Sequence, residues 1–240
     1  MPASRPVILL LRQLAEPDPF VAAFEALNVE ARCLPVLRFA FENEAVLREH
    51  LAHPGGYAGL VLTSPRAVEA LREGNLAAWE AKPAFTVGPA TAAAARSLGL
   101  QAEGGESGHA EALAGSITER TFDRPLLFVC GDRRREVLPE RMRAAGVPFE
   151  ECVAYRTVLL PSALNVLAAD PPDWVAFFSP SGVEAALQAA GFPWNGCALA
   201  AIGPATAAAL DAAHHPPDAV ASAPTPDALA AAVRRHLAHA

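Results

Sequence analysis

Four short segments of this chain share one chemical design. Ser64-Pro65, Gly88-Pro89, Ser179-Pro180 and Gly203-Pro204 each follow an apolar run and precede a stretch with helical spacing. Ser or Gly before Pro marks a helix start, with the first residue as N-cap and Pro as the first helical residue. The first-turn amides of such a helix have no partner within it and stand at the positive end of its dipole. Each start is therefore either a good cap alone or a seat for an anion. Arg66 in the Ser-Pro-Arg start, Arg12 after the first apolar run, and Arg133 in the run Arg133-Arg134-Arg135 are candidate cations for the same chemistry. That run reads either as a solvated helix end or, since three cations at a helix start oppose the dipole, as an anion contact.

The starts come in pairs. Gly203 follows Gly88 by 115 residues, and Ser179 follows Ser64 by the same 115. The runs at Val7 and Leu126, and the segments at Cys33 and Cys152, repeat instead at 119. Two copies of one αβ unit are expected, with four residues fewer between the early and late motifs of the second. Two similar lobes leave a cleft between them, and helix starts at the carboxyl ends of strands are where open α/β sheets bind ligands.

The elements that would position these residues alternate. Strands are expected at 7–11, 30–40, 58–63, 84–87, 126–130, 148–158, 173–178 and 198–202, with weaker ones near 101–102 and 218–221. Helices are expected at 18–27, 44–51, 66–73, 89–98, 109–118, 135–145, 180–190, 204–213 and 226–237. This alternation predicts an α/β fold with parallel sheets covered on both faces. The stretches 30–41 and 148–160 are long, rich in β-branched and aromatic residues, and without a helix start, so they read as extended connectors.

Composition bounds the function. The chain has 240 residues, 52% hydrophobic and 19% charged, and a net charge of −7. An acidic surface argues against nonspecific nucleic-acid binding, while a site within it can still be locally positive. The four cysteines show no CxxC spacing, so Cys33 and Cys152 read as small buried hydrophobes at matching strand positions. His214-His215 beside Pro216-Pro217 lacks a third ligand, so no metal site is expected. No P-loop, early GxGxxG, GxSxG or HExxH occurs, which disfavours nucleotide and metal chemistry. With neither a signal-like start nor an apolar run near ~18 residues, a soluble, cytoplasmic protein off the membrane is expected.

Several segments resemble the uroporphyrinogen-III synthase family, in its eukaryotic-type branch. They are Leu9 to Arg12, Pro35 to Phe39, Thr63 to Ala70, Val87 to Ala92, Cys130-Gly131-Asp132, Arg135 to Pro139, Tyr155-Arg156-Thr157, Phe177 to Gly182, Ala201 to Pro204 and Ser222 to Pro226. The resemblance spans nearly the whole chain. It implies two similar parallel-sheet α/β domains joined by a two-stranded β connector, with the first βα unit crossing over to complete the C-terminal domain. The boundaries are then 1–34 plus 160–240, 44–145, and a connector of 35–43 and 146–159. It implies a cofactor-free, monomeric lyase that closes linear hydroxymethylbilane, with loss of water and inversion of ring D, to uroporphyrinogen III. The substrate, with its eight carboxylates, would come by hand-over from hydroxymethylbilane synthase. By resemblance Tyr155 is the cleft-facing tyrosine, the candidate general acid or else a packing and anchoring residue. Thr91 and Thr206, with Ser64 and Ser179, match binding positions at the helix starts. Val36 stands where the second copy has Tyr155, and Ser181 where the first has Arg66, so the lobes cannot treat the ligand alike.

Three other readings compete. A bilobed periplasmic-type binding module needs a secretion signal. A flavodoxin-like regulator needs an acidic cluster where Arg12 stands. A catalytically inactive, bilobed tetrapyrrole-binding protein would have lost Tyr155 or the Gly-Pro-Ala-Thr starts, and both are present.

Overall fold

The computed structural model describes residues 5–107 and 109–237. The strands are β1 Val7–Leu11, β2 Glu30–Cys33, β3 Leu37–Phe41, β4 Gly59–Leu62, β5 Pro83–Thr86, β6 Gln101–Glu103, β7 Leu126–Gly131, β8 Phe149–Leu159, β9 Trp174–Phe177, β10 Ala198–Ala201 and β11 Ala219–Val220. The helices are α1 Pro19–Glu25, α2 Glu44–Ala52, α3 Pro65–Ala70, α4 Pro89–Ser97, α5 Ala110–Thr118, α6 Val137–Ala144, α7 Pro180–Leu187, α8 Pro204–Ala212 and α9 Pro226–Leu237.

The chain divides into two units, one of residues 1–38 and 158–240 and the other of 39–157. The extreme residues 1–4 and 238–240, which the expected first domain includes, lie outside those described. The first unit holds a five-stranded sheet in the order β11-β10-β9-β1-β2, and the second a six-stranded sheet in the order β3-β8-β7-β4-β5-β6. Read from β1 in one and from β7 in the other, both show the doubly wound order 2-1-3-4-5. Each repeat copy has therefore given its first two strands to the other copy's sheet: β1 and β2 stand with β9 to β11, and β7 and β8 with β4 to β6.

The ladders β2-β1-β9-β10-β11 and β8-β7-β4-β5-β6 are parallel throughout. Parallel strands are covered on both faces and so carry continuous apolar runs. Every residue of β4, β7 and β9 is buried. In β1, Ile8 and Leu10 enter the core shared with Phe24 and Leu229, while Leu9 and Leu11 enter the core shared with Val183 and Leu210. The second unit is layered likewise, with Leu60 and Leu62 facing one core and Val61 the other.

The run 30–40 is two strands in two sheets, where the sequence suggested one. The Leu34 N–H still donates to Leu10 O, at 2.9 Å. Pro35 has no N–H to continue the ladder, and β3 then pairs with β8. Hydrogen bonds from Leu160 N to Val36 O and from Glu42 N to Ala154 O show that β3 and β8 run in opposite directions. The helix expected at 66–73 stops at Ala70, and Pro161–Ala168 is a 3-10 helix. Cys33 and Cys152 are free thiols in different sheets.

Candidate functional site

Strand order reverses between β1 and β9 in the first unit and between β7 and β4 in the second, and ligands bind outside the carboxyl ends of strands at such points. Arg12 and Ser179 follow β1 and β9. Ser64 follows β4, and Gly131 ends β7. The candidates thus fall in two groups: Arg12, Ser179, Ser181, Gly203 and Thr206 in the first unit, and Ser64, Arg66, Gly88, Thr91, Arg133 and Tyr155 in the second.

In the second unit Ser64 is the N-cap of α3. Its backbone is extended, and its Oγ accepts the Ala67 N–H at 3.2 Å. The same Oγ lies 2.7 Å from the Tyr155 hydroxyl. The Tyr155 ring, on β8, meets Phe39 edge to face at 6.2 Å, and the Arg66 guanidinium lies over Phe39 at 3.9 Å. Burial pushes the Tyr155 phenol above its ordinary value, against the opposing pull of the Ser64 hydrogen bond and the Arg66 charge. A phenol so placed keeps its proton at neutral pH and has a hydroxyl partner to pass it to or from.

The glycine starts differ from the serine starts. Ser64 and Ser179 spend their hydroxyls on the helix, Ser179 Oγ accepting the Gly182 N–H at 3.2 Å. Gly88 and Gly203 offer no side-chain cap; Pro89 and Pro204 have no N–H and Thr206 N donates to Gly203 O at 3.2 Å, so the Ala90, Thr91 and Ala205 N–H groups are the first-turn donors left for an outside acceptor. Thr91 and Thr206 sit in those first turns, each 3% exposed. Gly88 has φ +78°, which only glycine adopts freely, whereas Gly203 at φ 172° is plain extended backbone. A Cβ at either position would meet nothing within 4 Å.

Arg12 is not an isolated cation. Its Nη1 lies 3.3 Å from Asp18 Oδ1, and its guanidinium stands over the rings of Phe20 at 4.7 Å and Phe178 at 5.3 Å. Asp18 in turn caps α1, accepting the N–H groups of Phe20 and Val21. Burial alone would raise the Asp18 carboxyl. The N–H bonds from Ala15, Val21 and Phe20, together with Arg12, outweigh it and hold the group below the ordinary carboxylate value.

The basic run is also revised. Helix α6 begins at Val137 rather than 135, with Glu136 as its N-cap residue and Glu140 in its first turn. The three arginines therefore lie before the helix, outside its first turn. Arg134 is committed to Glu151 and Glu136. Arg133 is exposed, and Ser181 is half-buried in the first turn of α7.

Phe39, Gly131 and Asp132 shape the surroundings of Tyr155, and Asp18 those of Arg12, but none was singled out as a site residue from sequence. The motif Cys130-Gly131-Asp132 was the available signal for two of them. Phe39 closes the family-like segment Pro35 to Phe39, but its contact with Tyr155 across the sheet, like that of Asp18 with Arg12, is one that no local spacing reveals.

Fold and site together define a duplicated, two-unit α/β protein with ligand-type helix starts at the carboxyl ends of parallel sheets. The family model for uroporphyrinogen-III synthase HemD matches residues 18–231. Uroporphyrinogen-III synthase of Schizosaccharomyces pombe is 32% identical over 245 residues, covering 94% of this chain and 95% of its own. That of Saccharomyces cerevisiae is 31% identical over 210 residues, 75% of this chain and 76% of its own. Among solved structures, uroporphyrinogen-III synthetase of Helicobacter pylori superposes with a TM-score of 0.69 at 18% identity, covering 98% of this chain and 100% of its own. A mutant synthase of Thermus thermophilus gives 0.62, also at 18%, covering 98% and 99%. The chain belongs to the uroporphyrinogen-III synthase family, on its eukaryotic-like side.

Proposed function

We propose that this chain cyclises hydroxymethylbilane to uroporphyrinogen III, as a cofactor-free, monomeric lyase of the cytoplasm. Family membership supports the reaction, and the observation that carries the mechanism is the Ser64–Tyr155 hydrogen bond at the carboxyl end of β4. Tyr155 is the general acid. Its phenol protonates the departing ring A hydroxyl, which leaves as water, and the azafulvene cation remains. The substituted carbon of ring D attacks to form a spiro intermediate, which fragments and recloses through the free α-carbon of ring D. The proton released there restores the phenol. No oxidation state changes.

The enzyme's task is steering, because the bilane closes without inversion in its absence. Positioning by fixed dipoles suits that task. The open amides of the Gly88 and Gly203 starts, with Thr91 and Thr206, take carboxylates of the substrate. Ser64, Arg66, Ser179, Ser181, Arg12 and Arg133 orient the chain of rings. A bilane that closes spontaneously also favours direct hand-over from hydroxymethylbilane synthase.

The test couples the purified protein to enzymatically generated hydroxymethylbilane, oxidises the product and separates the uroporphyrin isomers. Predominantly type III is expected. Type I alone, formed at the uncatalysed rate, overturns the assignment and leaves an inactive tetrapyrrole-binding protein.

A further inference from the structure

In strand β8 the side chains alternate between two cores. Cys152 and Ala154 enter the core with Leu62, Val68 and Leu71, and Val153 packs on the other face with Phe128 and Cys130. Strict alternation would send Tyr155 after Val153, away from α3 and Ser64. Tyr155 instead packs on the core of Leu62 and Val68, and its hydroxyl reaches Ser64.

The register explains the reversal. Cys130 pairs with Val153, and the next residue, Gly131, pairs with Tyr155, so Ala154 is an extra residue on β8. Such a bulge re-aims the side chains beyond it. Two hydrogen bonds lock the strand there: Asp132 N donates to Tyr155 O, and Thr157 N donates to Asp132 Oδ1, both at 3.0 Å. The Tyr155 ring then lies directly on Gly131. A Cβ at 131 would stand 2.5 Å from Cε2, 2.6 Å from Cζ and 2.9 Å from the hydroxyl oxygen.

We propose that the bulge at Cys130–Gly131 turns Tyr155 onto the Ser64 side of the sheet, with Gly131 and Asp132 as its positioning residues. Gly131 leaves room for the ring, and the Asp132 carboxylate latches β8 beyond the bulge. The catalytic consequence rests on Tyr155 being the acid; the placement of the phenol does not.

Placement can be read without turnover. The chain has two tyrosines, and Tyr57 ionises far above the ordinary phenol value, because it is buried and donates to Glu150. The first transition in an alkaline absorbance titration is therefore assigned to Tyr155, an assignment that Tyr155→Phe checks by abolishing it. Besides Ser64, the groups acting on this phenol are Arg66, Cys130 and Asp132. In Gly131→Ala and Asp132→Ala the titration is expected to fall toward the ordinary value. With a misplacement of about 1 Å, kcat drops about 10²-fold at little changed KM. Asp132→Asn loses the charge but keeps an oxygen for the Thr157 N–H, and is expected to restore most of what Asp132→Ala loses. An Asp132→Ala titration no lower than that of Asp132→Asn, or equal losses of kcat in the two, overturns the positioning role even if Gly131→Ala fails to fold. A titration lower in Asp132→Ala than in Asp132→Asn, beside a fully active Tyr155→Phe, sustains the placement and overturns the acid role.

Discussion

Ser64 Oγ accepts the Ala67 N–H at 3.2 Å and lies 2.7 Å from the Tyr155 hydroxyl, so one side chain both caps α3 and holds the phenol. Its two roles can be separated. Tyr155→Phe keeps the ring against Phe39 and Gly131 and removes only the hydroxyl. General acid catalysis typically contributes about 10²–10⁴-fold. Steady-state kinetics should therefore show kcat down about 100-fold or more with KM little changed, and an unaltered melting curve. Ser64→Ala should lower kcat as well, and also cost about 1 kcal/mol of stability for the lost cap.

The raised Tyr155 phenol sets the sign of an alkaline limb. An acid must be protonated to act, so activity should persist through the ordinary phenol value, about 10, and fall only as pH passes the higher value. Between the two, the folded state holds a proton that the unfolded state has lost. Stability from this group is thus full below the unfolded value and declines as pH rises through the folded one. A pH–kcat profile whose alkaline limb lies below that of a free phenol would remove Tyr155 from the chemistry.

Asp18 works in the opposite direction. Its folded value is lowered, so its contribution is present above the ordinary carboxylate value and lost as pH falls through the depressed one. Asp18→Asn should flatten the acid side of a melting-temperature profile. Asp18→Ala should further cost about 1–2 kcal/mol for the cap. A melting profile unchanged in shape between pH 2 and 5 would show the carboxylate to be unimportant.

The two glycine starts should respond differently to alanine. At Gly88 the left-handed φ penalises a Cβ by about 1–2 kcal/mol, visible as a lower melting temperature. At Gly203 the extended backbone accepts alanine, and the added methyl projects into open space at the start of α8. Gly203→Ala should therefore melt like the parent and show a raised KM. An unchanged KM would take that start out of the binding site.

Thr91→Ala and Thr206→Ala should each weaken substrate binding only partly, because the backbone amides of the same turns remain. A loss of about 0.5–1.5 kcal/mol per hydroxyl hydrogen bond corresponds to roughly a two- to tenfold rise in KM. Full retention of kinetics in the double variant would remove both starts from the proposed site.

Much of this molecule was legible in its residues. The apolar runs at 58–63, 126–130 and 173–178 read as strands of parallel sheets covered on both faces, and the four Ser-Pro and Gly-Pro pairs begin helices as their local chemistry requires. These are decisions taken within a few residues, by hydrogen-bond geometry and side-chain sterics, and so they are written locally. The pairing of strands across copies is different. Nothing in Val7–Leu11 states that it lies beside Trp174–Phe177 rather than beside Gly59–Leu62; only the family resemblance implied the crossing. The face of Tyr155 is likewise decided in three dimensions. A period of two points it away from Ser64, and the extra residue opposite Cys130 and Gly131 points it back. The register between distant strands depends on the packing of both sheet faces at once, a quantity that only the tertiary structure possesses.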